Sequence, residues 1–573
     1  MTFHATRDWD RETAWVAVAA SCVSIISFLI YFKHGAVLLY GDAVAHINIA
    51  RRVFDSQTPG PLQLGTVWLP LPHVLMIPFL FSTAAWRSGL GGSIPSMIAY
   101  VAGAVGIFRL VRGALAFPSG PDAAARLAGW FAALVYAANP NLLYLQSTAM
   151  TEPLYLALFV WAMVFFSEFT QRVARAAERR PSLVRSLMKC GICLAGAELT
   201  RYDGWFAAAV MGAAAFVVVF RVAHGNSHLR SALIMFLLLV AVVPVFWLAY
   251  NAIIYRNPLE FANGPYSARA IEQRSARPGA PPHPGSHDLY GAGKYFFKSA
   301  ELNLAEGNCQ KVWILAALVG ILVVLTVSRR LAPLLLLWLP LPFYMLSIAY
   351  SGVPIFIPVW WPFSYYNVRY GLQLLPAFTV FSALFFYALE TFARSKPARI
   401  IIAAAALILL AGSYISIWRA QPVCLREAWV NSRTRLALES ELAVKLRDLP
   451  PDTTLLMYLG DHVGALQQAG IPLRRVINEG NHRTWRRPSD PAGQWERALA
   501  DPGQYADYAI AFAGDPVSMA LAKHSLPVVA QVDVPGQPQA RIYRTRPNTI
   551  SSVSRASNHL PPRRRSDDLG LTR

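Results

Sequence analysis

Long hydrophobic runs constrain the fold of this 573-residue chain more than any other feature of its sequence. A helix needs about 20 residues to cross roughly 30 Å of hydrocarbon, and most of the runs are that long. Hydrophobic residues make up 55% of the chain and charged residues only 15%, which excludes a water-soluble globule. The sequence therefore predicts a mainly α, polytopic membrane protein of about eleven transmembrane helices, near 14–33, 94–112, 127–143, 153–169, 187–200, 204–220, 231–254, 311–328, 331–350, 371–392 and 399–418.

Basic residues give the chain a formal net charge of +20, and they are concentrated in short segments between the hydrophobic runs. This distribution is typical of cytoplasmic loops, because membrane proteins keep Lys and Arg on the cytoplasmic side. A nucleic-acid partner is not expected, since it would require basic residues along one soluble face. The segments contain Arg109, Arg112 and Arg126; six residues from Arg172 to Lys189; Arg221 and Arg230; Arg329 and Arg330; and Arg394, Lys396 and Arg399.

Alternating spans place all these basic segments on one side only if the apolar stretch at 67–85 does not cross the membrane. Pro70, Pro72 and Pro78 argue against a continuous helix there, so we expect an interfacial or re-entrant segment. The extracytoplasmic side of a bacterial inner membrane then holds 34–93, 139–152, 200–203, 255–310, 351–370 and everything after about 419.

The composition changes at the end of the last apolar run. We expect a transmembrane domain at 1–420, a small soluble α/β domain on the extracytoplasmic side at 421–548, and a disordered basic tail at 549–573. Three short apolar segments predict strands of the α/β domain, at 455–459, 508–512 and 527–532.

The first outer segment begins with a carboxylate, Asp42, and His46 follows four residues later. On a helix these two side chains share a face. A simple N-terminal helix cap is the alternative role for Asp42, because aspartate commonly caps helices.

Three further outer segments carry ionisable groups close to a span. Glu152 stands at a junction of loop and helix, where a capping role is the alternative. Arg201 with Asp203, and Arg369 with Tyr370, are flanked by aromatic residues, which is also typical of an interfacial anchor. Ionisable groups near membrane depth are costly, so several on one side predict a functional site.

These motifs resemble the GT-C superfamily of membrane glycosyltransferases. The resemblance rests on Gly41-Asp42 in the first outer segment, Thr151-Glu152-Pro153 after Asn139-Pro140, and Arg369-Tyr370 before a late span. Protein O-mannosyltransferases and bacterial aminoarabinose and other polyprenyl-phosphate-sugar transferases are the most similar members. The resemblance implies a GT-C-like bundle and an inverting glycosyltransferase that moves a sugar from a polyprenyl-phosphate donor, at the membrane lipid, to a glycan, lipid or protein acceptor.

The resemblance also implies roles for the site residues. Asp42 activates the acceptor, Glu152 and Asp42 hold a divalent cation such as Mg²⁺ or Mn²⁺, and Arg369 binds the donor phosphate. The family often has a Lys-Pro-Pro segment after the first-loop helix, where this chain has Leu71-Pro72-His73, so His73 takes the place of a phosphate-binding lysine. We expect the remaining candidates, His46, Arg201, Asp203 and Tyr370, to complete the substrate-binding site.

Two other classes of protein fit a hydrophobic chain of this kind. A lipid or sugar transporter, or flippase, would carry ionisable residues at mid-span and paired half-repeats. A non-catalytic membrane scaffold that presents the domain at 421–548 would tolerate substitution of Asp42 and Glu152. The spans here are largely uncharged and the polar groups collect at one surface, which favours the enzyme.

Overall fold

The computed structural model describes residues 10–116, 122–174, 180–222, 227–275, 279, 281–327, 329–460, 462–481 and 492–546. The predicted basic tail at 549–573 lies outside the described residues. Helices dominate up to residue 447, and a small sheet follows.

The helices of the first half are α1 (Arg11–Lys33), α2 (Gly41–Arg52), α3 (Leu71–Met76), α4 (Thr83–Ser88), α5 (Leu90–Ala114), α6 (Ala123–Ala137), α7 (Pro140–Gln146), α8 (Glu152–Ala174), α9 (Arg180–Glu198), α10 (Tyr202–Val222) and α11 (Ser227–Tyr255). Those of the second half are α12 (Glu260–Asn263), α13 (Ala268–Ser275), α14 (Leu289–Leu304), α15 (Asn308–Val327), α16 (Pro340–Tyr350), α17 (Leu375–Phe392), α18 (Lys396–Ala420), α19 (Val423–Arg447), α20 (Gly464–Ala469), α21 (Gln494–Ala500), α22 (Pro502–Tyr505) and α23 (Pro516–Leu521). Turns of 3₁₀ helix lie at Pro61–Leu64, Ile77–Phe79, Arg329–Trp338, Val368–Leu374 and Leu473–Arg475.

Within the described residues, nine helical segments are long and apolar enough to cross a membrane. They include α1, α5, α8, α10, α11, α15 and α18, and the segments Arg330–Tyr350 and Val368–Phe392, which each join a 3₁₀ turn to an α-helix. The other two predicted spans correspond to α6, which has 15 residues, and to α9, which carries Arg185, Lys189 and Glu198. The chain is therefore a multi-pass, mainly α membrane protein, as predicted.

Two proline-containing segments differ in how well their boundaries were predicted. The stretch at 67–85 contains only short helical pieces, which confirms that it is no continuous span. The predicted end of the run 127–143 was wrong, because α6 stops at Ala137. The side chain of Asn139 caps a new helix by accepting hydrogen bonds from the backbone N–H groups of Asn141 and Leu142. Pro140 suits the first turn of that new helix.

Ion pairs identify the end of the bundle that carries the basic segments. Arg112 contacts Asp10 at 2.5 Å and Glu12 at 3.1 Å, and Arg126 contacts Glu12 at 2.6 Å. These contacts bring together the start of α1, the end of α5 and the start of α6. The segments that hold Asp42 and Glu152 follow the end of α1 and precede α8, so they meet at the opposite end.

The C-terminal part contains a five-stranded sheet in the order β2-β1-β3-β5-β4. Its strands are β1 (Leu455–Met457), β2 (Val476–Ile477), β3 (Tyr508–Phe512), β4 (Val528–Val532) and β5 (Ala540–Arg544). β1 pairs in parallel with β2 and β3, whereas β5 pairs antiparallel with β3 and β4. The three predicted strands are present, and β2 and β5 were not predicted. The predicted domain division after residue 420 falls between α18 and α19 and stays a prediction.

Close helix packing in the bundle depends on Gly320 of α15. A Cβ added at this glycine would overlap the backbone carbonyl of Phe381 in α17. Small residues allow helices to approach closely in membranes, where no hydrophobic effect drives their association.

We expect Gly320→Val to destabilise the purified protein by about 1–3 kcal/mol, because a backbone carbonyl cannot move aside as a side chain can. Gly412→Val in α18 is the matched control, since an added Cβ there has no neighbour within 4 Å. Thermal unfolding in detergent, followed by fluorescence, measures both. Equal midpoints for the two variants would show that the α15 and α17 contact is not tight.

Candidate active site

Arg369 joins three carboxylates that come from distant parts of the chain. Its Nη2 lies 2.5 Å from Asp42 Oδ2, its Nε 3.3 Å from Glu152 Oε1, and its Nη1 2.8 Å from Glu427 Oε1. Only 7% of the Arg369 side chain is exposed, whereas 42% of the Asp42 side chain is exposed. The predicted meeting of Asp42, Glu152 and Arg369 is therefore present, with Asp42 as the accessible carboxylate.

A second arginine, Arg201, lies behind Arg369 and shares one of its partners. Its Nη1 donates to Glu152 Oε1 at 3.2 Å, and its Nη2 donates to the hydroxyl of Tyr344 at 2.8 Å. That hydroxyl donates in turn to Asp203 Oδ2 at 3.2 Å, and Arg201 Nε also lies 3.3 Å from this oxygen. Arg201 thus points into the protein, which excludes the interfacial-anchor alternative.

The capping alternatives for the two carboxylates are excluded by the same contacts. The helix that contains Asp42 has no side-chain cap hydrogen bond, and Asp42 instead contacts Arg369. Glu152 Oε1 accepts from Arg201 and Arg369.

Aromatic rings enclose the two guanidinium groups. The ring of Tyr370 lies 5.0 Å from the guanidinium carbon of Arg369 and 5.0 Å from that of Arg201. The ring of Tyr40 also lies 5.0 Å from the guanidinium carbon of Arg369. The faces of aromatic rings attract cations, and these contacts restrict the motion of the two planar guanidinium groups.

Backbone contacts fix the position of Arg369. Asn303 of α14 donates to the carbonyl of Val368 at 2.8 Å, and Glu427 Oε2 accepts the backbone N–H of Arg369 at 3.2 Å. Asn367 starts the turn in the left-handed conformation, with φ 56°, and donates to the carbonyl of Pro354. Glu427 therefore holds both the main chain and the side chain of Arg369.

The Asn139-Pro140 motif contributes to the same arrangement from the other side. Asn139 donates to the carbonyl of Asn303 at 2.9 Å, and Asn141 accepts the backbone N–H of Cys424 at 2.9 Å. Tyr40 donates to the carbonyl of Cys424 at 2.8 Å. These bonds join α7, α14 and the start of α19, and so position Glu427 next to Arg369.

A cavity of about 1870 Å³ opens in front of this cluster. Its walls come from α2, from the segments 255–283 and 352–370, from α19 and from the C-terminal sheet domain. Of the predicted site residues, Asp42, Arg369 and Tyr370 line the cavity among the residues that the structure describes. Glu152, Arg201 and Asp203 lie behind its wall, where they contact the arginine cluster rather than the open space.

His46 and His73 bond to each other. Nδ1 of His46 lies 2.9 Å from Nε2 of His73, and the ring of His46 packs on Trp68 with centroids 4.6 Å apart. Burial, with the positive charges of Arg369 and Arg201, lowers the pKa of His46 to about 3. Burial also lowers the pKa of His73 well below its ordinary value. Both imidazoles are therefore neutral at physiological pH, and the complete burial of His73 argues against its predicted contact with a phosphate.

The charge balance of the cluster bears on the predicted divalent cation. Four carboxylates, Asp42, Glu152, Asp203 and Glu427, surround two guanidinium groups. Glu152 Oε2 is buried and has no hydrogen-bond partner among the described residues. Among the residues that the structure describes, no group of three or more His, Cys, Asp or Glu side chains is arranged so that it could hold a metal ion by itself. Mg²⁺ is commonly held by one or two carboxylates plus substrate phosphate, so this donor set fits a cation that arrives with a phosphate.

Glu427, Tyr344 and Asn303 were not predicted from the sequence. Glu427 lies in the part assigned to the soluble domain, and the other two are polar residues within long helical stretches. The one available signal was the position of Glu427, a carboxylate seven residues after the last predominantly apolar helix.

No family model matches this sequence, and no curated protein sequence matches it. Solved structures do resemble it. ArnT from Cupriavidus metallidurans bound to undecaprenyl phosphate has a TM-score of 0.54 and 14% sequence identity, and the match covers 93% of this chain and 98% of ArnT. ArnT in the apo state gives a TM-score of 0.52 at 14% identity, over 94% and 98%. The Archaeoglobus fulgidus oligosaccharyltransferase tethered with an acceptor peptide gives 0.49 at 12% identity, over 94% of this chain and 74% of that protein.

The two ArnT structures match nearly the whole of both chains, including the sheet domain that follows the helices. At 14% identity this likeness concerns the fold and not the substrate. The chain shares the fold of these two structures, a multi-pass helical bundle followed by a small sheet, and this agrees with the architecture that its sequence predicted.

Proposed function

We propose that this protein is an inverting glycosyltransferase that moves a sugar from a polyprenyl-phosphate donor to an acceptor on the extracytoplasmic face of a bacterial inner membrane. The contact of Arg369 with both Asp42 and Glu152, at the wall of a large cavity, is the observation that carries the proposal. The ArnT structure with undecaprenyl phosphate bound, which shares the fold, supports a polyprenyl-phosphate donor.

In the proposed reaction Asp42 accepts the proton of the acceptor hydroxyl. The acceptor oxygen attacks the anomeric carbon of the sugar, and the bond between that carbon and the phosphate oxygen breaks. A single displacement of this kind inverts the anomeric configuration. Aspartate is a weak base, so Asp42 acts chiefly by its position.

The departing polyprenyl phosphate gains negative charge, which Arg369 is suited to meet. A guanidinium binds phosphate through two parallel hydrogen bonds, and this group already lies at the cavity wall. An incoming phosphate competes with Asp42 for Arg369, and this competition frees the Asp42 carboxylate for the acceptor. Arg201, Asp203 and Tyr344 keep Glu152 and Arg369 in place.

A divalent cation would be held by the exposed carboxylate of Asp42 at the cavity wall and by the unpaired oxygen of Glu152 behind that wall. When bound, it would offset the negative charge that collects on the leaving phosphate. The residues themselves orient the phosphate and receive the proton.

The position of the basic segments supports the extracytoplasmic assignment. The ion-paired basic residues, including Arg112 and Arg126, lie at one end of the bundle, and the cavity lies at the other. Lys and Arg favour the cytoplasmic side, so the cavity faces the opposite side.

We expect Asp42→Asn to lower the transfer rate by about 10² to 10⁴ while leaving expression and thermal stability intact, because the amide cannot accept the proton. Purified protein with polyprenyl-phosphate sugars and candidate acceptors provides the assay. Asp288→Asn is the control, since Asp288 caps α14 away from the cavity. Full activity in the Asp42 variant would reject the proposed base.

Arg369→Lys is expected to weaken binding of undecaprenyl phosphate about tenfold, because an ammonium lacks the bidentate fork of a guanidinium. Binding to the detergent-solubilised protein is measured by thermophoresis. Arg419→Lys, at an exposed position at the same end of the bundle, should bind like the wild type. Unchanged affinity in the Arg369 variant contradicts its role at the phosphate.

Removal of divalent cations with EDTA should reduce both transfer and the affinity for undecaprenyl phosphate, and added Mg²⁺ should restore both. The affinity of Asp42→Asn is expected to respond less to EDTA, because one of the two candidate ligands is lost. Equal transfer and equal affinity with and without EDTA would reject a role for the cation.

A further inference from the structure

One face of α2 lines the cavity along its entire length. Gly41, Ala45, Asn48 and Arg52 lie on this face at helical spacing, and Asp42 and Ile49 flank them. The helix rises about 1.5 Å per residue, so Arg52 lies roughly 15 Å along the cavity from Asp42. Ala45, Asn48 and Ile49 line the cavity between them.

Arg52 differs from the paired arginines of the cavity in one atom. Its Nε is buried and has no hydrogen-bond partner within the described part of the chain. Unpaired buried donors cost free energy, and a guanidinium costs more than a neutral group. Arg51, the neighbouring residue, is fully engaged with Asp55 and the carbonyl of Leu80.

The remaining cavity arginines are paired or exposed. Arg369 contacts its three carboxylates, Arg435 contacts Glu439 at 2.7 Å, and Arg274 is exposed on α13. Glu479, the residue before Gly480, accepts the backbone N–H of Leu459 at 2.9 Å.

Gly480 lies directly beside the Arg52 guanidinium. A Cβ added at Gly480 would come 3.6 Å from Arg52 Nη1 and 2.8 Å from Gln63 Oε1. The glycine thus keeps the space in front of Arg52 open, and it belongs to the C-terminal part of the chain. The site is formed where α2 and the C-terminal domain meet.

We propose that Arg52, in the space that Gly480 leaves open, forms an anion subsite that binds a phosphate or carboxylate of the acceptor, roughly 15 Å from the hydroxyl that receives the sugar. The guanidinium fork matches either group through paired hydrogen bonds. The identification of this ligand as the acceptor rests on the proposed function, whereas the anion site itself does not. It adds that the acceptor is an anionic molecule long enough to span the length of α2.

Binding of small anionic sugars tests the subsite without donor or transfer. Saturation-transfer NMR on the full-length protein in detergent would compare glucose 6-phosphate, glucuronate and glucose for the wild type, Arg52→Gln, Arg52→Lys and Arg433→Gln. Arg433 is an exposed arginine of α19 that does not line the cavity, so it serves as the matched control.

We expect one or both anionic sugars to bind more tightly than glucose, and Arg52→Gln to weaken that binding about tenfold, as lost charge-assisted hydrogen bonds require. Arg52→Lys should bind at an intermediate level, because an ammonium keeps the charge but lacks the paired hydrogen bonds, and Arg433→Gln should bind like the wild type. Repeating the measurement in nanodiscs identifies the source of the anion: Arg52-dependent competition by phosphatidylglycerol would indicate a lipid headgroup, and its absence a soluble group.

Equal binding of glucose and the anionic sugars, or unchanged binding in Arg52→Gln, would overturn the subsite. Either result leaves the proposed transfer untouched, because no donor is present. Conversely, absence of sugar transfer by the wild-type protein, with an intact Arg52 effect, would reject the transferase and keep the anion subsite.

Discussion

The buried guanidinium of Arg369 is the constraint on which the rest of the structure depends. An arginine with 7% of its side chain exposed must be paired, because an uncompensated charge in a low-dielectric interior costs several kcal/mol. The three carboxylates that satisfy it lie on α2, α8 and α19, so these helices must all dock before the charge is neutralised. Assembly of the bundle and assembly of the candidate site are therefore the same event.

This requirement gives α19 a role beyond connecting two parts of the chain. Glu427 bonds the backbone and the side chain of Arg369, and two turns later Arg435 donates to the carbonyls of Leu38 and Leu39. The sheet domain that follows is thereby held over the cavity. There the hydroxyl oxygen of Tyr458 lies 3.3 Å from that of Tyr266. A substrate in the cavity contacts both parts of the protein at once.

Much of this arrangement could be predicted from the sequence because a membrane restricts where charge is tolerated. The basic segments fix the side of each loop, and Asp42, Glu152, Arg201 and Arg369 then fall on one surface. Glu427 could not be found in this way, since it lies where the composition becomes that of a soluble domain. β2 has only two residues, too few to show a pattern. β5 alternates between buried and exposed residues at Ala540, Arg541 and Ile542, and this signal in the sequence was overlooked. His46 and His73 were both predicted as site residues, but their mutual contact was missed, because contact between side chains 27 residues apart depends on tertiary packing.

The position of the charges also bears on the choice between the proposed transferase and a transporter. A transporter needs ionisable groups that face both sides in turn, near the middle of its spans. Here Glu152 is shared by Arg201 and Arg369 at the ends of helices, and the exposed member of the cluster, Asp42, lines a cavity at the end opposite the basic segments. In the proposed reaction, a phosphate that enters this cavity exchanges one anionic partner of Arg369 for another. The charges of the cluster then change partners without leaving this end of the bundle, which favours chemistry on a bound sugar over passage across the bilayer.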